Sequence, residues 1–404
     1  MSGGRARRVL LVGEMGVANH GNEASLAATL ELLAQDPGLE PVVMGYVPRE
    51  IEAVHGVEAT RLTHPDAPRG GLWRPVGKLA DGWWILRQVG TVDAVVVTGT
   101  GIFEGAGVKP HGIPLSLFWV ALAARLRRRP FLVLSVGLDD VGDRVTRWLF
   151  ARTLESADLL SVRDDGSAAA ARAIGVRVRP RIVPDLVLAR RSDLPGPAPL
   201  VAGEPPTVAV GVMDWGGTER EDERRAYVRR GVDLVRAVLA LGTRVRVVGG
   251  AGLDMDVVHR VVRGVLDEEP DAPVDAVGST DVESLSAALR GCRLVVATRY
   301  HNLVAALSEG IPVVALAYGP KHRWLLEHFG FPERAHDRDT YDLDVVVDQV
   351  RDALTTVPED AAAVARVLRT DRAAVEAQAR EVLDLLGGPE RPARVPAAPT
   401  RTAR

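Results

Sequence analysis

Between Leu294 and Gly330 the chain reads LVVATRYHNLVAALSEGIPVVALAYGPKHRWLLEHFG, a pattern suited to a parallel α/β sheet. Leu294–Ala297 is a short apolar run of the kind that forms a strand buried on both faces. Asn302–Glu309 has helix formers with Leu303, Ala306 and Leu307 at helical spacing, and Gly310 follows as a stop. Ile311–Ala317 is apolar and rich in β-branched residues, a second buried strand. Between these elements stand Arg299, Tyr300 and His301, then Lys321, His322 and Arg323. Ligands of open parallel sheets bind at the carboxyl ends of the strands. Two neighbouring strand ends therefore carry cationic and titratable groups, the makings of an anion site with a proton donor.

The chain has 404 residues, too many for one ordinary α/β core and about right for two. A formal charge of −3 gives no sign of a nucleic-acid partner. A single cysteine, Cys292, excludes an internal disulfide and any multi-cysteine metal site. No apolar run approaches the ~20 residues of a membrane span. The basic, then apolar, N-terminus leads into a strand and a Gly/Asn loop rather than a signal sequence, so a cytoplasmic protein is expected. Basic residues are almost all Arg; Lys occurs only at 78, 109 and 321. Lys321 follows a buried strand, where a compact charge suits a phosphate or carboxylate. A solvated loop lysine is the plainer alternative.

Residues 8–12 form the first strand. The loop Gly13–Asn22 follows, then a helix over Glu23–Leu33. A glycine-rich turn into a helix favours phosphate, but glycines at 13, 16 and 21 do not fit the dinucleotide spacing. Asn19, Asn22 and Glu23 are candidate contacts for a polar ligand, unless Asn22 simply caps the helix. The stretch 55–84 is irregular and carries Trp73, Trp83 and Trp84. These are suited to stacking on a sugar, to a transient membrane-surface contact, or to ordinary packing. Residues 92–97 form a strand ending in Thr98-Gly-Thr-Gly101, where glycines permit close approach. The strand 159–162 ends at Arg163, a third cation at a strand end, where a structural salt bridge is the common role. Residues 190–206, rich in Pro, Gly and Ala, form the expected linker.

A second run of strands and helices occupies 207–330, with a capping box expected at Thr280–Glu283. A helical region over 331–386 and a disordered tail over 387–404 complete the chain. The expected organisation is thus an N-terminal α/β domain over 1–189 and a C-terminal one over 207–330. Both are doubly wound and Rossmann-like and face a cleft. A Gly-x-Ser-x-Gly nucleophile elbow and a Walker A loop are absent, and the nine histidines are scattered without close pairs apart from His322 and His328, so a zinc site is not expected. Arg pairs with carboxylate or phosphate through two parallel bonds, and His is suited to proton transfer near neutral pH. Arg299, His301 and Lys321 together point to chemistry on an anion without a metal.

Four segments in order carry a family resemblance: VGEMGVANHGNEASL, SVRDDGSAAAARAIGV, Pro184-Asp185, and above all TRYHNLVAALSEGIPVVALAYGPKH. Over about residues 8–330 the chain resembles the polysaccharide pyruvyl transferase family. The resemblance implies a glycosyltransferase-B-like fold. It also implies transfer of the enolpyruvyl unit of phosphoenolpyruvate to a sugar, glycan or glycosylated metabolite, forming a pyruvate ketal with no cofactor. It makes Arg163 and Arg299 the donor-binding arginines, His301 the catalytic histidine, and Lys321 a further donor ligand. The N-terminal domain would then take the acceptor and the C-terminal domain phosphoenolpyruvate. Thr100 interrupts a glycine run frequent in the family, Asn22 stands where Asp is frequent, and Tyr300 where Leu is frequent. A nucleotide-sugar glycosyltransferase of the same fold is the alternative, since LSEGIPVVA resembles the segment after the donor site of such enzymes. A non-catalytic sugar-binding relative is the third.

Overall fold

A computed structural model describes residues 5–16, 20–67, 73–105, 107–190, 195–199, 201, 203–214, 221–279 and 281–387. Asn19 and the tail beyond Gly387 lie outside them. The described chain divides into two compact units. The first comprises 5–16, 25–185 and 374–387, the second 20–24 and 186–373.

The elements up to residue 182 are β1 (Arg7–Val12), α1 (His20–Leu33), β2 (Leu39–Gly45), α2 (Pro48–His55), β3 (Glu58–Arg61), α3 (Arg74–Val89) and β4 (Ala94–Val97). They continue with α4 (Ile113–Leu126), β5 (Phe131–Val136), α5 (Arg144–Leu154), β6 (Leu159–Val162), α6 (Asp165–Ala173) and β7 (Arg181–Ile182). The strands form one parallel sheet of order β3-β2-β1-β4-β5-β6-β7. Strands β4, β5 and β6 are buried at every residue, as their unbroken apolar runs require. One face of the sheet is covered by α3 to α6, around Phe103 and Phe150 with ring centroids 5.0 Å apart. The other packs on α1 and α2, where Leu26, Leu33 and Ile51 lie in its core.

The second sheet is built from β8 (Thr207–Gly211), α7 (Glu221–Leu239), β9 (Arg244–Val248), α8 (Met255–Glu268), β10 (Val274–Val277) and α9 (Val282–Leu289). Then come β11 (Leu294–Ala297), α10 (Tyr300–Ser308), β12 (Val313–Ala317), α11 (Pro320–Phe329), β13 (Ala335–Asp337), α12 (Leu343–Thr355) and α13 (Val357–Gly387). Its order, β10-β9-β8-β11-β12-β13, repeats the winding of the first, again all parallel. In each sheet the strand order reverses once, beside β1 and β4 in the first and β8 and β11 in the second. Ligands of such sheets bind at the carboxyl ends of these strands.

Several local expectations change. The first helix starts at His20 rather than Glu23, so Asn22 lies inside its first turn and is not the cap. The capping box is made by Asp281 and Ser284, one residue later than the sequence spacing implies. Residues 331–386 are not all helix, since β13 extends the second sheet. The end of α13 packs into the first unit through Ala379, Val382 and Leu386, and Arg7 donates to the Leu386 carbonyl at 2.6 Å. Part of the Pro-rich segment is tied down: Gly196 N–H donates to the Glu309 carbonyl and Ala198 N–H to that of Cys292.

Candidate active site

The reversal point of the second sheet lies where β8 and β11 run side by side, with Gly211 opposite Ala297. Beyond Ala297 the chain turns through Thr298 and Arg299 and enters α10. This helix is buried from Asn302 to Ser308 because its apolar residues face the sheet on one side and neighbouring helices on the other. His301 is its partly exposed residue. No acidic side chain occupies the first turn of α10, so its positive end is not neutralised from within the helix.

Arg299 does not project freely. Its Nε and Nη2 donate to the two oxygens of Asp254, at 2.5 and 2.6 Å, in a side-on bidentate pair. Asp254 is fully buried in the short turn before α8. It also accepts from Asp214 N–H at 2.8 Å and Gly250 N–H at 2.9 Å. One carboxylate thus joins the turns after β8, β9 and β11. The Nη1 edge of Arg299 makes no bond to the described residues.

Asn302 lies against this cluster with no exposed surface, and both atoms of its carboxamide lack a partner among the described residues. A Cβ at Gly250 would fall 2.3 Å from its Oδ1, and one at Gly211 2.6 Å from its Nδ2. Both glycines are required here by close approach. Buried polar groups without partners are uncommon and mark places that need a reason.

The His301 ring rests on the first turn of α1: a Cβ at Gly21 would lie 1.9 Å from its Nε2. That places the backbone next to Asn22 and Glu23 at the histidine. The second turn, after β12, brings Lys321. Its Nζ sits 5.7 Å from the Tyr300 ring and 5.3 Å from the Tyr318 ring, within cation–π range. His322 is fully buried, with Nε2 3.0 Å from the Thr298 carbonyl and Nδ1 3.2 Å from that of Gly319. It ties the two turns together, while Arg323 is exposed. Behind them the Tyr227 hydroxyl donates to Thr298 Oγ1 at 3.0 Å and accepts from Met213 N–H. Burial pushes that phenol up to about 12, so it stays a neutral donor.

Arg163 belongs to the first unit. Its side chain is buried after β6 and flat against Gly137, donating to Glu104 at 2.9 Å and to Asp164 at 3.2 Å. This is the structural salt bridge that its position alone allows. Around it, burial and then the charge of Glu104 raise the Glu14 carboxyl above its ordinary value. The hydroxyls of Thr98 and Thr100, at the reversal point of this sheet, are buried without partners among the described residues.

The structure therefore sets His301 against the turn of α1 that holds Asn22 and Glu23, Lys321 near the Tyr300 ring, and Arg299 on the buried Asp254. Sequence reasoning missed Asp254, Tyr227 and Asn302. Asp254 carried one signal, its place just after the glycine loop 249–252 that follows β9. No group of three or more metal-ligating side chains occurs among the described residues.

The sequence profile described as polysaccharide pyruvyl transferase matches residues 19–320, about three quarters of the chain. A curated relative, the amylovoran biosynthesis protein AmsJ of Erwinia amylovora, is 28% identical over 99 residues, 24% of this chain and 24% of that protein. The match thus spans about a quarter of the relative's length. Among solved structures, a putative UDP-N-acetylglucosamine 2-epimerase from Listeria monocytogenes has a TM-score of 0.61 at 14% identity, covering 95% of this chain and 98% of that one. A ugt transferase from Siraitia grosvenorii in complex with UDP has a TM-score of 0.60 at 13% identity, covering 94% and 100%. At such identities the likeness is one of fold, the glycosyltransferase-B-like pair of doubly wound sheets.

Two outcomes follow from the buried charges. Asp254→Ala leaves Arg299 without its partner and two turn amides without an acceptor. Breaking a buried pair from one side costs roughly 3–5 kcal/mol, which denaturant unfolding should register; a loss under about 1 kcal/mol would contradict the role given to Asp254. Glu14 behaves oppositely. A carboxyl whose folded pKa is raised opposes folding once ionised, and contributes nothing at pH values where both folded and unfolded forms are protonated. Glu14→Gln should therefore raise the melting temperature at about pH 7 and leave it nearly unchanged below about pH 4. No gain at neutral pH would contradict the burial argument.

Proposed function

The chain belongs to the polysaccharide pyruvyl transferase family, and from that premise we propose that it uses phosphoenolpyruvate to build a pyruvate ketal on a sugar. The observation that supports this reading most is that Arg299 and His301 stand at the start of α10 and Lys321 in the first turn of α11, with its Nζ 5.7 Å from the Tyr300 ring. Phosphoenolpyruvate is small and carries both a phosphate and a carboxylate. The Nη1 edge of Arg299, the Lys321 ammonium and the positive end of α10 suit these groups. His301 donates a proton to the methylene carbon, which makes the adjacent carbon electrophilic. Two sugar oxygens then form bonds to that carbon, and its bond to the phosphate oxygen breaks. Of the two protons the hydroxyls lose, one replaces the proton given by His301 and one leaves with phosphate. No metal or organic cofactor enters this scheme.

Asp254 holds Arg299 by two bonds, so the guanidinium is oriented before the anion arrives. Asn22 and Glu23, beside the His301 ring, are proposed to contact the sugar. Arg163 is proposed as a further donor ligand. Its guanidinium is already shared between Glu104 and Asp164, which lowers its expected contribution.

A nucleotide-sugar glycosyltransferase is the second reading, supported by the fold. Against it, the acidic residue of the α10 region is Glu309. It is fully buried at the far end of the helix and bonded to Arg290 at 3.1 Å. It is therefore not placed to hold a donor ribose at the first turn.

Calorimetric titration of the full chain with phosphoenolpyruvate, UDP and GDP separates the two. Phosphoenolpyruvate alone should bind. Arg299→Ala should weaken that binding by the ~1.5–3 kcal/mol of a charge-assisted hydrogen bond, or about one to two decades. Unchanged affinity would remove Arg299 from the donor site. His301→Ala should retain binding and lose turnover, and binding of a nucleotide alone would favour the glycosyltransferase.

A further inference from the structure

The helices α3, α4 and α5 cover one face of the first sheet, and their outward side has an unusual composition. Aromatic residues are only 4% of the chain, yet five of its seven Trp, at 73, 83, 84, 119 and 148, lie in this layer or at its edge. Trp73, Val76, Leu79 and Trp83 are 67%, 48%, 65% and 57% exposed. Their spacing places them on about one third of the helix circumference. On α4 and α5, Leu126, Val145 and Trp148 are exposed as well.

These side chains form part of a continuous surface. Trp119 of α4 packs under α3, where a Cβ at Gly82 would lie 2.7 Å from its ring. Phe118 follows at 6.2 Å from Trp119 and 5.3 Å from Trp148, measured between ring centroids. A groove of about 350 Å³ runs between α4 and α5, with Phe118, Leu122, Arg125, Trp148 and Arg152 among its lining residues.

The same layer is strongly basic. Helices α3, α4 with the following Arg127–Arg129, and α5 contain ten Lys and Arg and one acidic residue, Asp81. The chain as a whole is at −3, and α1 and α2, on the opposite face of the sheet, hold four acidic residues and one Arg. Some of the basic groups are neutralised: Lys78 by Asp81, Arg129 by Asp93, Arg147 by Asp140 and Arg152 by Glu155. Arg125, Arg127, Arg128 and Arg144 are exposed and make no ion pair with the described residues. Arg87 lies over the Trp83 ring at 5.8 Å, its charge at the border of the apolar stripe.

We propose that this face docks on the surface of an anionic phospholipid bilayer. Trp83, Trp73, Leu79 and Leu126 enter the interfacial region, and Arg125, Arg127, Arg128 and Arg144 meet the lipid phosphates. Trp is favoured at such interfaces because its ring is apolar and its N–H is polar. Exposed apolar side chains framed by Arg are the composition of surfaces that lie on membranes. The segregation of positive charge to one face of an acidic protein supplies the charge complementarity. No helix of the described residues is long and apolar enough to cross a membrane, so the contact is peripheral and reversible. This inference does not depend on the reaction proposed above.

The test is sedimentation of the full chain with sucrose-loaded vesicles, either of phosphatidylcholine alone or of phosphatidylcholine mixed with phosphatidylglycerol. The protein should sediment with the anionic vesicles at least about tenfold more strongly, and added salt should release it. Leu79→Ser with Trp83→Ser, and separately Arg127→Glu with Arg128→Glu, should each lower the partition by roughly tenfold or more. All four positions are exposed, so the melting temperature should be unchanged and serves as the control for folding. Absence of sedimentation with anionic vesicles at low salt, or binding unaffected by both variant pairs, overturns the proposal. So does sedimentation velocity showing a dimer that Leu79→Ser with Trp83→Ser dissolves, because the face would then belong to a second copy of the chain.

Discussion

The fully buried carboxylate of Asp254 holds the turns after β8, β9 and β11 of the second sheet in one arrangement. It accepts four N–H groups, two from Arg299 and one each from Asp214 and Gly250. An ionised carboxylate away from water is costly unless its oxygens are satisfied, and here each accepts two bonds. The turns that supply the donors cannot move independently without leaving a buried oxygen unpaired. Arg299 is therefore set by the core of its unit rather than by a ligand. Because α10 starts directly after Arg299, its position also fixes that of His301.

Close backbone approach supports the same geometry. Gly211 and Gly250 leave room for the Asn302 carboxamide where any side chain would collide with it. His322 then links the β12 turn to the β11 turn through the Thr298 carbonyl, and Lys321 precedes it in the first turn of α11. Lys321 lies within cation–π range of two tyrosine rings, an attraction weaker and less directional than a bidentate pair.

What was legible in the sequence follows from which physical signals are local. Buried parallel strands announce themselves as short apolar runs, and β11 and β12 fell where those runs are. Glycine and the change of hydrophobic period marked the turns, so Arg299, His301 and Lys321 could be placed at strand ends without coordinates. The start of α1 was less legible because His20, Gly21 and Asn22 are weak helix formers, and Gly21 lies against His301 of α10. Asp254 was illegible in its role, since an Asp at a helix start is usually a cap. Only the three-dimensional meeting of three turns makes it a hub. The strand β13 is three residues long, too short for any periodicity to reveal.

Arg163 and Arg299 show why a cation at a strand end is not yet an anion site. Each follows a buried strand, and each has recruited carboxylates: Glu104 and Asp164 for one, Asp254 for the other. A bare guanidinium there would be largely desolvated, and the acidic partners offset that cost. They also cancel most of its field, so neither arginine attracts an anion by net charge. What remains at Arg299 is a fixed N–H edge pointing away from Asp254, next to a helix N-terminus. Recognition at such a place depends on matching N–H groups to oxygen atoms at short range. Such short-range recognition is compatible with a protein whose overall charge is negative.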